Sequence, residues 1–231
     1  MFAGVIVAVF SLSKVLTYLL ANFPIQLWSF FFGLIVASAL LVSKQITKWS
    51  VGSIITGLIG AGLAYLITIT AATQTTDATW FVFVSGMIAI CAMILPGISG
   101  SFILILLGKY QFILAAAKGF KIGTLLVFMA GCLVGILSFS HIVSWTLKKY
   151  YNLTIAFLAG IMIGSLNKVW PWKRTITSFT DRHGKVKPIL EQSILPSEYP
   201  QESFLMYAII FAIVGFALVY FLEKFAPKSE K

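Results

Sequence analysis

From Trp80 to Ala117 the chain reads WFVFVSGMIAICAMILPGISGSFILILLGKYQFILAAA. The run is apolar almost throughout and too long for one membrane-spanning helix, which needs about 20 residues. In its middle stands Leu95-Pro96-Gly97-Ile98-Ser99-Gly100-Ser101. Pro96 is the only one of the seven prolines inside an apolar segment. A proline removes a backbone donor and clashes with the preceding turn, at about 3 kcal/mol in a helix interior. Gly97 and Gly100 add backbone freedom. The stretch therefore predicts a broken or re-entrant helix over 80–117. Broken backbone at membrane depth is tolerated only where it is buried in protein or lines a cavity. The N–H groups freed at the start of the second half-helix, with the hydroxyls of Ser99 and Ser101, form a donor set for a phosphate or carboxylate. Transporters place substrate sites at such breaks. The competing reading of the same residues is a proline kink with glycine and serine as packing residues.

Composition sets the surroundings of this break. Of 231 residues, 59% are hydrophobic and 10% charged, and the mean hydropathy is +0.98. A soluble domain carries about 45–50% apolar and about 25% charged residues. These values exclude a soluble enzyme, a disordered chain and a disulfide scaffold. The expected class is an all-α polytopic membrane protein with about seven to eight transmembrane or re-entrant helices, built as a single membrane domain over 1–231. The 17 Lys+Arg outnumber the 7 Asp+Glu. In so apolar a chain, that excess reads as cytoplasmic loops and anionic head groups, not as nucleic-acid binding. Asp77 is the only carboxylate before Asp181.

The other apolar segments run over about 2–21, 24–43, 51–70, 122–147, 150–166 and 204–222. Phe23-Pro24 is a break. Gly131 and Gly135, and again Gly160 and Gly164, have the four-residue spacing that brings helices close in lipid. Residues 167–203 form a polar loop with six Lys/Arg, the strongest candidate for the cytoplasmic side. Everything regular is expected to be helix. If 80–108 crosses the membrane, eleven basic residues lie inside; if 80–110 is a re-entrant hairpin, nine do. Charge counting favours crossing and the Pro-Gly tip favours the hairpin.

Several polar residues stand out beside the break. Lys109, two helical turns beyond Ser101, either snorkels to an interface or serves as a counter-charge in the same cavity. Tyr110 reads as an interfacial aromatic or a ligand group. Lys14 sits in an apolar run beside Ser11 and Ser13, a site candidate by position. Asn167 and Lys168 can reach a head group, next to Trp170-Pro171-Trp172-Lys173-Arg174, which reads as an interface anchor. Cys91 and Cys132 read as buried thiols. His141 lies among serines in 122–147. There is no metal-ligand spacing, phosphate-binding loop or nucleophile elbow, and no cofactor is expected.

Ile94 to Phe102, running on to Leu107-Gly108-Lys109-Tyr110, resembles a signature of the bacterial and archaeal polyprenyl-phosphate transporter family. Gly160-Ile161-Met162-Ile163-Gly164-Ser165-Leu166-Asn167-Lys168 through Lys173 resembles that family's second stretch. Phe10 to Lys14 and Trp28 to Leu34 are similar as well. The resemblance implies an inverted-repeat transporter of the plasma membrane that returns undecaprenyl phosphate to the cytoplasmic leaflet. Together with the residue-level reading, the expected substrate-binding residues are Pro96, Gly97, Ser99, Gly100, Ser101, Lys109, Tyr110, Lys14, Asn167 and Lys168. It also implies an earlier Pro-Gly-x-Ser-Gly-Gly copy, which this sequence lacks, so the chain reads as short by one motif unit. The alternatives are a small-anion transporter and a truncated, inactive membrane fragment. On the leading reading, the scarcity of carboxylates removes repulsion against a lipid phosphate.

Overall fold

The computed structural model describes residues 14–70, 75–180, 186–200 and 202–225. Helix α1 is described over 14–22, followed by α2 (Pro24–Lys44), α3 (Val51–Ile69), α4 (Thr79–Ile94), α5 (Gly100–Leu106), α6 (Tyr110–Lys118), α7 (Ile122–Lys149), α8 (Tyr151–Ser165) and α9 (Leu205–Phe225). Five of these stretches are long and apolar enough to cross a membrane: α2, α3, α7, α9, and α8 with the turn that extends it to Val169. Their outer faces carry large apolar side chains, such as Leu137 at 70% and Met206 at 75% exposure, as suits contact with lipid.

The helix limits follow from local chemistry. Pro24 opens α2 at the first helical position, where its missing N–H costs nothing. Ser50 caps α3, its Oγ accepting from Ser53 N at 3.2 Å.

The chain forms two compact units. One comprises residues 1–38, 169–174 and 193–231. Within it, α2 and α9 approach at glycines: the α-carbon of Gly33 meets the carbonyl of Ala212, and that of Gly215 meets Phe30. Its buried cluster is Ile25, Trp172, Ile194 and Ala208.

The other unit comprises residues 39–168 and 175–192. It is built on two close helix pairs. In α3 and α8, Gly60 lies on the carbonyl of Phe157, Gly160 on Gly57 and Gly164 on Ala61. In α4 and α7, Gly86 lies on Phe128, Gly131 on Phe83 and Gly135 on Met87. Both predicted glycine pairs thus serve the close approach that their spacing allows. The thiols sit in the second seam: Cys91 Sγ donates to Gly135 O at 3.7 Å and Cys132 Sγ to Gly86 O at 3.5 Å.

Besides the break at Pro96, the stretch 80–117 turns a second time at Gly108 and so forms three helices. The 167–203 stretch is not irregular loop, and the regular structure is not all helix. Strands β1 (Lys173–Thr180) and β2 (Val186–Ser193) pair as a two-stranded sheet. The β-branched residues Thr175, Ile176, Thr177 and Thr180 favour extended backbone, and Pro188 is tolerated because both strands are edges.

Candidate functional site

The break forms as its residues predict. Helix α4 ends at Ile94, the chain turns through Leu95-Pro96-Gly97, and α5 begins at Gly100. Gly97 adopts φ +92°, a conformation that L side chains rarely take. Ser99 caps α5: its Oγ accepts from Phe102 N at 3.2 Å and lies 3.2 Å from Ser101 Oγ. One released N–H is therefore already satisfied within the protein. Because α5 is only seven residues long, its dipole is small, and the exposed hydroxyls of Ser99 and Ser101 are the stronger donors.

Helix α5 runs back along α4. Near the tip, a Cβ on Gly100 would come 2.7 Å from the carbonyl of Ala89. At the open end, Thr75 Oγ1 donates to Leu107 O at 2.5 Å. Residues 75–109 are thus a helical hairpin with both ends on one side. Gly108, at φ +64°, closes α5 in a Schellman turn. Its N–H donates to Ile105 O at 2.9 Å, and Lys109 N donates to Leu104 O at 2.8 Å. Helix α6 leaves at 107° to α5.

That turn decides where Lys109 goes. Its side chain is 1% exposed, and Nζ contacts Asp77 Oδ1 at 2.5 Å and Thr75 O at 3.0 Å. The ring centroids of Phe81 and Phe112 lie 5.6 and 5.3 Å from the same nitrogen. Lys109 therefore neither snorkels nor lines the break. It sits at the far end of α5, roughly 10 Å from the Ser99 cap at 1.5 Å per residue. Beside the pair is a cavity of about 290 Å³ lined by Asp77, Thr79, Val82, Phe112, Gly123, Thr124 and Val127. Tyr110 is the half-buried first residue of α6.

Lys168 is a cation that packs on the first turn of α5, over Phe102. The tip of the hairpin packs on α8, where Gly97 lies against the buried Ser165. A 3₁₀ turn, Leu166–Val169, continues α8. It carries Lys168 Nζ to 4.4 Å from the ring centroid of Phe102, the residue whose N–H the Ser99 cap holds. Asn167 Nδ2 donates to Thr68 Oγ1 at 2.8 Å, fixing the turn on α3. Lys168 is also paired with Glu191 Oε2 of β2 at 3.6 Å. Sequence reasoning missed Glu191, because it lies in the polar stretch read as loop.

The remaining candidates have surroundings of their own. Lys14 is exposed in α1 and belongs to the other unit; Ser11 and Ser13 lie outside the described residues. Trp172 is 5% exposed, with Nε1 donating to Ser203 O at 2.9 Å. It is a core residue rather than an interface anchor, because its polar edge has a backbone partner. Trp170 Nε1 likewise donates to Ile194 O at 2.9 Å. His141 is exposed on α7. Among the described residues, no three His, Cys, Asp or Glu side chains gather as a metal site.

These features define a class: a multi-pass helical membrane protein with a broken hairpin whose hydroxyl-rich tip meets a cation-bearing helix end. The chain belongs to the undecaprenyl phosphate translocase-like family, whose model matches residues 1–187. The family is one of translocases, not of enzymes. The chain is 42% identical to a polyprenyl-phosphate transporter of Vibrio cholerae over 232 residues, covering 99% of this chain and 75% of that protein. It is 33% identical to a polyprenyl-phosphate transporter of Staphylococcus aureus over 188 residues, covering 73% of this chain and 66% of that protein. No solved structure matches the chain.

Proposed function

We propose that the chain translocates a polyprenyl phosphate between the leaflets of the plasma membrane, returning the lipid carrier of cell-envelope precursors to the cytoplasmic side. The head group binds where Ser99 and Ser101 meet Lys168, with Pro96, Gly97 and Gly100 shaping the tip and Asn167 holding the turn. The observation that carries this reading is the approach of Lys168 to Phe102, which puts an ammonium beside the capped break. A bare phosphate in a medium of low dielectric constant loses tens of kcal/mol of hydration. Hydroxyls and one ammonium replace part of that hydration, and the prenyl tail stays in lipid. The hairpin enters and leaves the membrane on one side, so its tip reaches inward without a crossing. Lys109 and Tyr110, at the far end of α5, serve at other stages of the passage, as does Lys14.

The test is translocation in proteoliposomes. A labelled short polyprenyl phosphate is loaded in both leaflets, and a phosphatase that cannot cross the membrane is added outside. The protein should make the inner-leaflet pool accessible, and Lys168→Gln should slow this about tenfold, the loss of one charge-assisted hydrogen bond. Passage of inorganic phosphate with no movement of lipid would instead mark a small-anion transporter.

A further inference from the structure

The β-hairpin that the sequence hides brings a carboxylate to the candidate site. Glu191 Oε2 lies 3.6 Å from Lys168 Nζ, and the two side chains are 24% and 35% exposed. Lys168 in turn lies 4.4 Å from the Phe102 ring centroid. An anion arriving at Ser99 and Ser101 thus meets an ammonium that already faces a resident anion. Partial exposure of both partners matters here. A pair sealed from solvent exchanges partners only at the cost of an uncompensated buried charge, whereas a half-exposed pair is held weakly and water can take over either charge. Lys168 with Glu191 is of the second kind.

We propose that Glu191 is a competing counter-ion for Lys168, displaced by the phosphate head group on binding and restored on release. This rests on the reading of Lys168 as a head-group ligand. The carboxylate has two effects on transport. It keeps Lys168 neutralised when no substrate is present, so weakly binding monoanions gain little from entering. It also shortens the stay of the phosphate, because the returning carboxylate replaces it. A dianionic phosphomonoester competes with a monoanionic carboxylate to advantage, so Glu191 sets selectivity for charge as well as rate of release. No covalent step is involved.

The experiment measures binding of farnesyl phosphate to the full chain in nanodiscs by titration calorimetry, with farnesol and inorganic phosphate as separate probes. The variants are Glu191→Gln, Glu191→Asp and Lys168→Gln, with the double variant. The expected result is binding about threefold tighter for Glu191→Gln, near-native for Glu191→Asp and weaker for Lys168→Gln, with the double variant matching Lys168→Gln. A merely structural role for Glu191 would weaken binding, so the sign separates the two. If Lys168→Gln weakens binding while Glu191→Gln leaves it unchanged or weaker, the counter-ion role is overturned and the site reading stands. If farnesyl phosphate binds neither the native chain nor Glu191→Gln, or binds independently of Lys168, both fall. Equal tightening for inorganic phosphate would show that the head group alone is read. Tightening confined to farnesyl phosphate would show that the lipid is required.

Discussion

Gly97 stands so close to Ser165 that no Cβ fits between them. This contact joins the tip of the α4–α5 hairpin to α8 and so places the break beside Lys168. Gly97→Ala meets two penalties, the overlap with Ser165 and a φ of +92°. Strain in such a conformation costs about 1–3 kcal/mol. The variant is expected to lose most translocation while keeping its helical content by circular dichroism. Full activity would show that the tip does not need this seat.

Lys109 and Asp77 form a pair in which one side chain is 1% and the other 66% exposed. Asp77→Asn leaves a buried ammonium without its counter-charge, a loss of up to about 3–5 kcal/mol for fully buried pairs and less here because water reaches Asp77. Thermal unfolding in nanodiscs should show Asp77→Asn clearly destabilised. Lys109→Met alone should be milder, and the double variant should lie close to Lys109→Met, a coupling that a cycle measures. Additive losses would contradict the pairing.

Gly164 in α8 faces the backbone of Ala61 in α3. A β-branched side chain there forces the helices apart. Gly164→Val should lower the yield of folded protein and its melting temperature, by about 1–3 kcal/mol or more for overpacking. Val at Gly62, where nothing lies within 4 Å, should change little. Equal tolerance at both positions would argue against the α3–α8 seam.

In the other unit, Trp172→Ala removes a 5%-exposed side chain and leaves the Ser203 carbonyl without its donor. Large aromatic truncations cost about 3–5 kcal/mol. The change should therefore show in unfolding, not only in membrane placement as an interfacial anchor would.

Much of this architecture is legible in the residues. The apolar segments end within a few positions of the observed helices, because Pro24, Ser50 and the glycines act locally. The break at Pro96 and the Gly131/Gly135 and Gly160/Gly164 seams follow from steric rules that need no neighbour. What was not legible depends on partners far along the chain. Asp77 meets Lys109 across 32 positions, through a Schellman turn whose 107° bend no periodicity announces. The sheet over 173–193 was obscured by charges and by Pro188, although its β-branched residues point to strand. The core position of Trp172 depends on the Ser203 carbonyl, 31 residues away.

The most direct test is a structure of the full chain determined with farnesyl phosphate bound. The account predicts phosphate density within hydrogen-bond reach of Ser99 or Ser101 Oγ and of Lys168 Nζ, with Glu191 turned away. Phosphate density in the cavity beside Asp77, or at Lys14, with Lys168 still paired to Glu191, would contradict it.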